Sequence, residues 1–495
     1  MRNYINDLHD IQVDASTDGR IIVKSDDVDD VDHVHDASKT KRITPDNTSL
    51  SWAIATEDGN PNQENFEQDV SSEAGAARAF AAHFKGCLVF CEGSQNWYRK
   101  EDQIYSKLSP VAMQGISMNY LVDVAKTVSS EKLSRALRSR AKINGVPHLA
   151  RSILSRPLED FDSDMDVIGT EDGKILHLSE RKLLTDYDGI VTRRAGTKYD
   201  ADATCPIWLE TISQCLGTNE AVALFQRAVG YSLSGHVSEQ CLFLMVGSGA
   251  NGKTLLSNTI SSLVGDYSAS TPMQSLMIGR EGQTADLAHL VGKRFVIAAE
   301  GEENQKLAES KIKLMTGGDL ITCRHLYRSF FTYKPQFKLW LATNSLPRIS
   351  GVDEGIWRRI VLIRFPVTIP VEQRDQQLEK RLQAELPGIL NWALDGYAAW
   401  RKIGLQVPDQ LLADRDLYRL DNDPVQQWID SRCERKSDAV ESAGALFDDY
   451  RRWVASSDDG ISNVIFGRIL RRKGFSNQRR REGNAWRGLK LLPRA

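Results

Sequence analysis

The stretch Gly247-Ser-Gly-Ala-Asn-Gly252-Lys253-Thr254 constrains this chain more than any other. It satisfies G-x-x-x-x-G-K-[ST], and it does so in the context that pattern requires. The continuous apolar run Cys241-Leu-Phe-Leu-Met-Val246 before it reads as a buried parallel strand. After it, Leu255, Leu256, Thr259, Ile260, Leu263 and Val264 fall on one helical face. A glycine-rich turn between such a strand and helix cradles phosphate. Backbone N–H groups curl around the oxygens with no Cβ in the way, and the helix start adds partial positive charge. Gly247, Gly249, Asn251, Gly252, Lys253 and Thr254 are therefore the expected ATP site. Lys253 is expected to neutralise the β and γ phosphates, and the Thr254 hydroxyl to ligate Mg²⁺.

Three later segments supply partners for such a loop. The strand-like Arg294-Phe-Val-Ile-Ala-Ala299 runs into Glu300-Gly301-Glu302-Glu303. Carboxylates at the end of a neighbouring strand can hold the metal shell and activate water; Glu300 is the expected metal-side group, Glu300 and Glu302 the expected catalytic ones. Which of Glu300, Glu302 and Glu303 acts as base stays open. Lys338-Leu-Trp-Leu-Ala-Thr343 delivers Asn344, an amide able to orient the lytic water. Trp357-Arg358-Arg359 precedes another apolar strand, Ile360-Val-Leu-Ile363. One of the two arginines is expected to reach a neighbouring subunit's γ-phosphate. Each segment also has a plain reading, as an acidic loop, a turn former or a surface charge pair. The alternation of apolar strands and helical stretches over 206–370 predicts a mostly parallel α/β sheet.

At 495 residues the chain exceeds one core and divides into several domains. Charge is polarised along it. Met1 to Gly75 holds 17 acidic and 6 basic residues, whereas Gly460 to Ala495 holds 10 basic residues and one acid, Glu482. The first stretch has few large apolar residues and predicts an arm without stable structure; the last predicts a surface facing nucleic acid. From Ala76 the pattern becomes globular: a helix around Ala79–Phe84, short strands at Leu88-Val89-Phe90 and Trp97-Tyr98, and a basic amphipathic helix over Lys132–Lys142. Leu378, Leu382, Leu386, Ile389 and Leu390 recur at helical spacing. Seven widely spaced cysteines form no disulfide framework and read as reduced thiols. With no apolar run near the ~20 residues of a membrane span and no apolar leader in Met1–Asp10, the expected setting is a cytoplasm, with no membrane partner.

Taken in order, these motifs resemble superfamily 3 DNA helicases, in particular the helicase halves of phage and plasmid primase-helicases, with poxvirus primase-helicase more distant. The resemblance rests on Gly-Ala-Asn251-Gly-Lys-Thr, Gly292-Lys293-Arg294, Lys313-Leu-Met-Thr316-Gly317-Gly318-Asp319 with Arg324 and Tyr327, Leu341-Ala-Thr-Asn344-Ser-Leu-Pro347, and Asp353-Glu-Gly-Ile-Trp357-Arg-Arg359. The resemblance implies an AAA+-like P-loop ATPase core with a parallel sheet. After the acidic arm at 1–75, which composition alone sets apart, it implies domains at 76–205 (mainly helical collar-type domain), 206–370 (ATPase core), 371–423 (helical lid) and 424–495 (basic winged-helix DNA-binding domain). It implies a ring oligomer, usually a hexamer, with ATP and Mg²⁺ between subunits, moving 3′ to 5′ along one strand of a single-stranded or forked DNA.

The family also carries a DNA-gripping hairpin before the sensor strand, here Ile321 to Arg328, so Arg324, His325, Tyr327, Arg328 and the nearby Lys334 are the expected strand contacts. Arg479, Arg480 and Arg481 beside Trp486 resemble the wing of the last domain. The second acidic motif departs from the usual Asp-Glu of P-loop motors. The arm is too short for a primase domain, so a separate primase or initiator is expected as partner. Two other readings share some of these residues: an initiator or loader that uses ATP only to assemble on DNA, and a small-metabolite kinase.

Overall fold

The computed structural model of the protein describes residues 63–278, 285–299, 306–324, 330–349, 354–454, 461–481 and 483–493. Helix begins earlier than the composition implied. α1 (Gln63–Ser71) lies inside the stretch read as an arm and buries Phe66 and Val70, an i,i+4 pair that the surrounding acids conceal. Ser72 ends it and caps α2 (Glu73–His83), its hydroxyl accepting from the Gly75 N–H. Residues 1–62 of the expected arm lie outside the described residues.

The region from 76 to 205 is mixed rather than mainly helical. β1 (Leu88–Cys91), β2 (Asn96–Glu101) and β3 (Ile104–Lys107) form an antiparallel meander, to which β4 (Ser155–Arg156) adds in parallel beside β1. Between them run α3 (Pro110–Thr127), α4 (Glu131–Leu137) and α5 (Arg140–Leu154). A second small sheet joins β5 (Val167–Gly169), β6 (Ile175–His177) and β7 (Lys182–Leu184). Strands of two to six residues are too short to impose a readable period of two. The basic stretch Lys132–Lys142 is not one helix. It breaks at Ser139, whose side chain caps α5 by accepting from the Lys142 N–H at 3.3 Å, and Leu137 turns fully inward.

The central sheet follows two helices, α6 (Pro206–Leu216) and α7 (Asn219–Leu233). Its elements are β8 (Leu242–Val246), α8 (Lys253–Val264), β9 (Ser268–Pro272), α9 (Ala285–Ala288), β10 (Phe295–Ala299), α10 (Glu309–Thr316), β11 (Ile321–Cys323), β12 (Phe331–Tyr333), β13 (Lys338–Thr343), α11 (Glu354–Trp357) and β14 (Ile360–Arg364). Five strands lie in the order β14-β8-β13-β10-β9, every pair parallel. Alternate side chains serve two cores. Phe243, Met245, Phe295 and Trp340 face the layer of α6, α7 and α8, while Leu242, Leu244, Leu339 and Leu341 face the other. Trp340 stacks on Phe243 at 4.4 Å and its indole N–H donates to the Ser232 hydroxyl at 3.1 Å. Because β13 inserts between β8 and β10, the carboxyl ends of β8 and β13 are neighbours.

α12 (Leu378–Ala384), α13 (Leu386–Ile403) and α14 (Asp409–Asp421) follow the sheet. α13 lies on α7 so closely that a Cβ on Gly230 would sit 2.1 Å from the Tyr397 nitrogen, and one on Gly396 2.0 Å from the Gln226 carbonyl oxygen. The Glu385 carboxylate accepts from the N–H groups of Ile207 and Trp208 at 3.0 and 2.9 Å, capping α6. The expected lid is thus joined to helices that precede the sheet.

The last region runs α15 (Pro424–Arg432), β15 (Cys433–Ser442), α16 (Ala443–Val454), α17 (Asn463–Arg472), β16 (Ser476–Arg480) and β17 (Gly483–Leu491), with an antiparallel sheet ordered β15-β17-β16. Trp428, Tyr450, Phe466 and Trp486 make its own core. All seven cysteines are free thiols, and no helix among the described residues is long and apolar enough to cross a membrane.

Candidate functional site

The turn from β8 into α8 is built on left-handed backbone: Gly249, Ala250 and Gly252 have φ of +100°, +49° and +85°. A Cβ on Gly252 would also meet the Cys215 Sγ at 2.4 Å, and one on Gly247 would meet the Asn251 side chain at 2.1 Å. Nothing lies within 4 Å of where a Gly249 Cβ would be, so the turn's open side is there. Gly252 is the N-cap of α8 and offers no side chain to the first N–H groups of the helix. The segment after β14 braces the turn: the Ile369 N–H donates to the Ala250 carbonyl at 2.8 Å, and the Ser248 and Thr368 hydroxyls lie 3.2 Å apart.

Lys253 is the first residue of α8 and only 6% exposed. Its Nζ donates to the Gly247 carbonyl at 2.7 Å, to Asn251 Oδ1 at 3.0 Å and to Asn344 Oδ1 at 3.0 Å. Burial lowers its pKa below the ordinary lysine value. Asn251 is 2% exposed. Thr254, one position on, is exposed. Asn344 follows β13 directly and is exposed, so the loop and the amide expected beside it do meet. β10 ends at Ala299, paired with Ala342 of β13, on the side of β13 away from β8. The expected carboxylates Glu300 and Glu302, with Glu303, lie outside the described residues.

Arg358 and Arg359 are not brought to the loop. They stand before β14, whose Ile360 pairs with Leu242 at the start of β8, whereas the loop leaves β8 after Val246, paired with Arg364. A strand of this length separates them by about 15 Å. The two also differ from each other. Arg359 is buried; its Nη1 donates to the Gly355 carbonyl at 2.6 Å and its Nη2 to Gln240 Oε1 at 3.4 Å. Arg358 is exposed. Sequence spacing treats them alike, and only burial separates them.

A hairpin stands where one was expected. Ile321 pairs with Tyr333 and Cys323 with Phe331, and Arg324 lies over the Phe330 ring at 4.8 Å. Lys334 is exposed on its return. His325, Tyr327 and Arg328 lie outside the described residues. At the far end of the chain Arg479 and Arg480 close β16 and Arg481 follows, all exposed, and the outer face of α17 adds Arg468, Arg471 and Arg472. Cys215 beneath Gly252 was not visible from sequence, because α6 reaches the loop only through the fold.

Residues 77–217 match a family described as D5 N terminal like, and residues 245–359 match a family of unknown function (DUF5906). The second stretch runs from β8 through Lys253 and Asn344 to Arg359. A provisionally named helicase of Acanthamoeba polyphaga mimivirus is 28% identical over 250 residues, 46% of this chain and 26% of that protein. One from Frog virus 3 is 22% identical over 275 residues, 50% of this chain and 27% of its own length. A provisionally named primase of African swine fever virus is 27% identical over 128 residues, 25% of this chain and 13% of its own. Over part of its length this chain is similar to proteins named as helicases and primases of large DNA viruses. The matches span about a quarter of these proteins' length or less. Among solved structures, the apo C-terminal region of NrS-1 (305–718) overlays with a TM-score of 0.47 at 10% identity, covering 85% of this chain and 100% of that one.

Proposed function

We propose that the chain is the motor of an ATP-driven replicative DNA helicase of a mobile element, working as a ring, a hexamer, that moves 3′ to 5′ on single-stranded DNA and opens forks. The observation that carries this reading is the placement of Lys253. A cation in the first turn of a helix opposes the helix dipole, by ~0.3–1 kcal/mol, and burial adds to the penalty. With Gly252 leaving the N–H groups of α8 uncapped, the arrangement suits a polyanion arriving at the open side of the turn.

In this reading ATP sets its phosphates against the turn's N–H groups, and Lys253 transfers its hydrogen bonds from the Asn251 and Asn344 oxygens to the β and γ phosphates. Asn344, freed, orients a water for attack on the γ-phosphorus. The bond to the β,γ-bridging oxygen breaks, ADP leaves with that electron pair, and the water's proton passes to a carboxylate following β10, in the role assigned to Glu300 or Glu302. Thr254, with Glu300, would hold Mg²⁺, which would supply charge neutralisation to the phosphates. Arg358 is the better candidate to act on a neighbour's γ-phosphate, since it is exposed and far from its own loop, while Arg359 is committed within its chain.

The order helix–strand–helix–helix–strand–strand at 424–495 supports a winged-helix reading, with α17 and Arg479–Arg481 meeting duplex phosphates. A separate primase or initiator would supply primers or load the ring. The test is turnover of ATP with and without single-stranded DNA, together with unwinding of a forked duplex. Turnover stimulated by single strands and lost in Lys253→Ala supports the motor. ATP-dependent assembly on DNA without unwinding supports the initiator or loader instead, and unstimulated turnover by a monomer defeats both.

A further inference from the structure

At the base of the parallel sheet, on the side where the β11–β12 hairpin departs, the core and the amino-terminal region enclose a cleft of about 800 Å³. Tyr98 on β2 and Phe161 form one wall, their rings 5.2 Å apart and both half-buried. Lys293 before β10, whose Nζ donates to the Asp266 carbonyl at 2.7 Å and stays solvent-accessible, lines the other with Phe331 and Lys334 of the hairpin. Arg193 also lines the cleft, its Nη2 donating to the Val291 carbonyl at 2.5 Å. Asp162, the buried carboxylate here, is already engaged: it accepts from the Thr192 N–H and hydroxyl at 2.7 and 2.5 Å and lies 3.6 Å from the Arg193 guanidinium. Glu159 is exposed at the rim. The cleft is therefore lined by aromatic faces and an excess of cations.

Its size is that of a small-molecule site, ~300–1,000 Å³. Rings offering a face beside lysines are the means by which a protein holds a strand without reading its sequence: the base stacks and the phosphate is neutralised. An acidic peptide would use the lysines and leave the rings in contact with water. The cleft is also continuous with the hairpin through Phe331 and Lys334.

We propose that this cleft seats one nucleotide unit of single-stranded DNA, its base on the Tyr98–Phe161 rings and its phosphate between Lys293 and Lys334. The inference rests on the reading of the chain as a DNA motor and adds the amino-terminal region to the path of the strand. Burial and the neighbouring Arg193 hold the Lys293 amine down to about 8, which leaves it mostly ammonium at neutral pH and able to meet a phosphate.

The test uses the full chain and a thymidine oligonucleotide carrying 5-iodo-deoxyuridine, photo-cross-linked and mapped by mass spectrometry, with affinities measured for Tyr98→Ala, Tyr98→Phe and Lys293→Gln. Cross-links in the peptides around 94–98 or 158–163 are expected. Tyr98→Ala should weaken binding about fivefold or more, with Tyr98→Phe near wild type because it keeps the ring. Thymidine monophosphate serves as the second arm: if it binds the cleft and the oligonucleotide does not, the occupant is a free nucleotide and the strand assignment is overturned. Cross-links confined to the hairpin and the carboxyl-terminal region, with Tyr98→Ala binding normally, overturn the cleft while leaving the motor standing. Absence of any cross-link and of DNA-stimulated turnover overturns both.

Discussion

Lys253 and Asn344 touch: the amine at the start of α8 donates to the amide oxygen just past β13, across 91 positions of chain. The contact ties the candidate phosphate clamp to the candidate water-orienting group. Lys253→Ala should lower ATP turnover by about 10²–10³-fold or more. Because the change also removes a desolvated cation, the melting temperature should move little. Asn344→Ala should lose turnover and keep nucleotide binding, since in the proposed mechanism the amide orients the attacking water and does not hold the nucleotide. Binding of a fluorescent ATP analogue lost equally in both variants would contradict that division.

The same amine predicts a pH dependence. Its pKa is lowered in the free protein by burial, and bound phosphate favours the ammonium form. Binding therefore takes up a proton once the pH exceeds the lowered value. Affinity for ATP should be flat below that value and fall as pH rises above it. Lys253→Ala should bind weakly and without this slope. Titration calorimetry in buffers of different ionisation enthalpy measures the proton uptake directly.

Arg358 and Arg359 should separate cleanly. Arg359→Ala removes a buried guanidinium bonded to Gly355 and Gln240 and should destabilise the fold by ~1–3 kcal/mol, seen as a lowered melting temperature. Arg358→Ala should melt as wild type and lose about 10³-fold or more in turnover. Mixed with Lys253→Ala protein, it should regain activity at hybrid interfaces. A mixture with no recovery removes the assignment between subunits.

Gly252→Ala should be costly for two independent reasons. The residue adopts a φ of +85°, and the new Cβ would lie 2.4 Å from the Cys215 Sγ. A destabilisation of ~1–3 kcal/mol is expected, together with loss of nucleotide binding. In the Gly252→Ala, Cys215→Ala double variant the clash is gone and the backbone strain remains, so the double variant should be less damaged than the sum of the singles.

Charge reversal at Arg479, Arg480 and Arg481 should weaken duplex binding and flatten its dependence on salt, by ~0.9 in log–log slope for each DNA phosphate that is no longer neutralised. An unchanged slope would take these arginines off the duplex.

What was legible in the sequence follows from how local the determining physics is. The turn between β8 and α8 is specified by neighbours within a dozen residues, and its glycines, lysine and flanking apolar runs all announce it. β13 could be read for the same reason, as six residues buried throughout. The break at Ser139 could not, because the basic stretch keeps helical spacing on both sides of a capping serine. α1 was hidden because two buried residues, Phe66 and Val70, carry it among acids. The unequal fates of Arg358 and Arg359 depend on Gln240, far away in sequence, and no spacing rule contains that hydrogen bond.

The glycine-to-glycine crossing of α7 and α13 has a mechanical meaning. With backbones almost touching at Gly230 and Gly396, the chain entering the sheet and the chain leaving it are clasped together on one side. Neither can slide without carrying the other. A displacement of either helix would thus carry the other as one lever stroke, while a bulkier residue at either glycine would pry the clasp open and let the two ends move out of step.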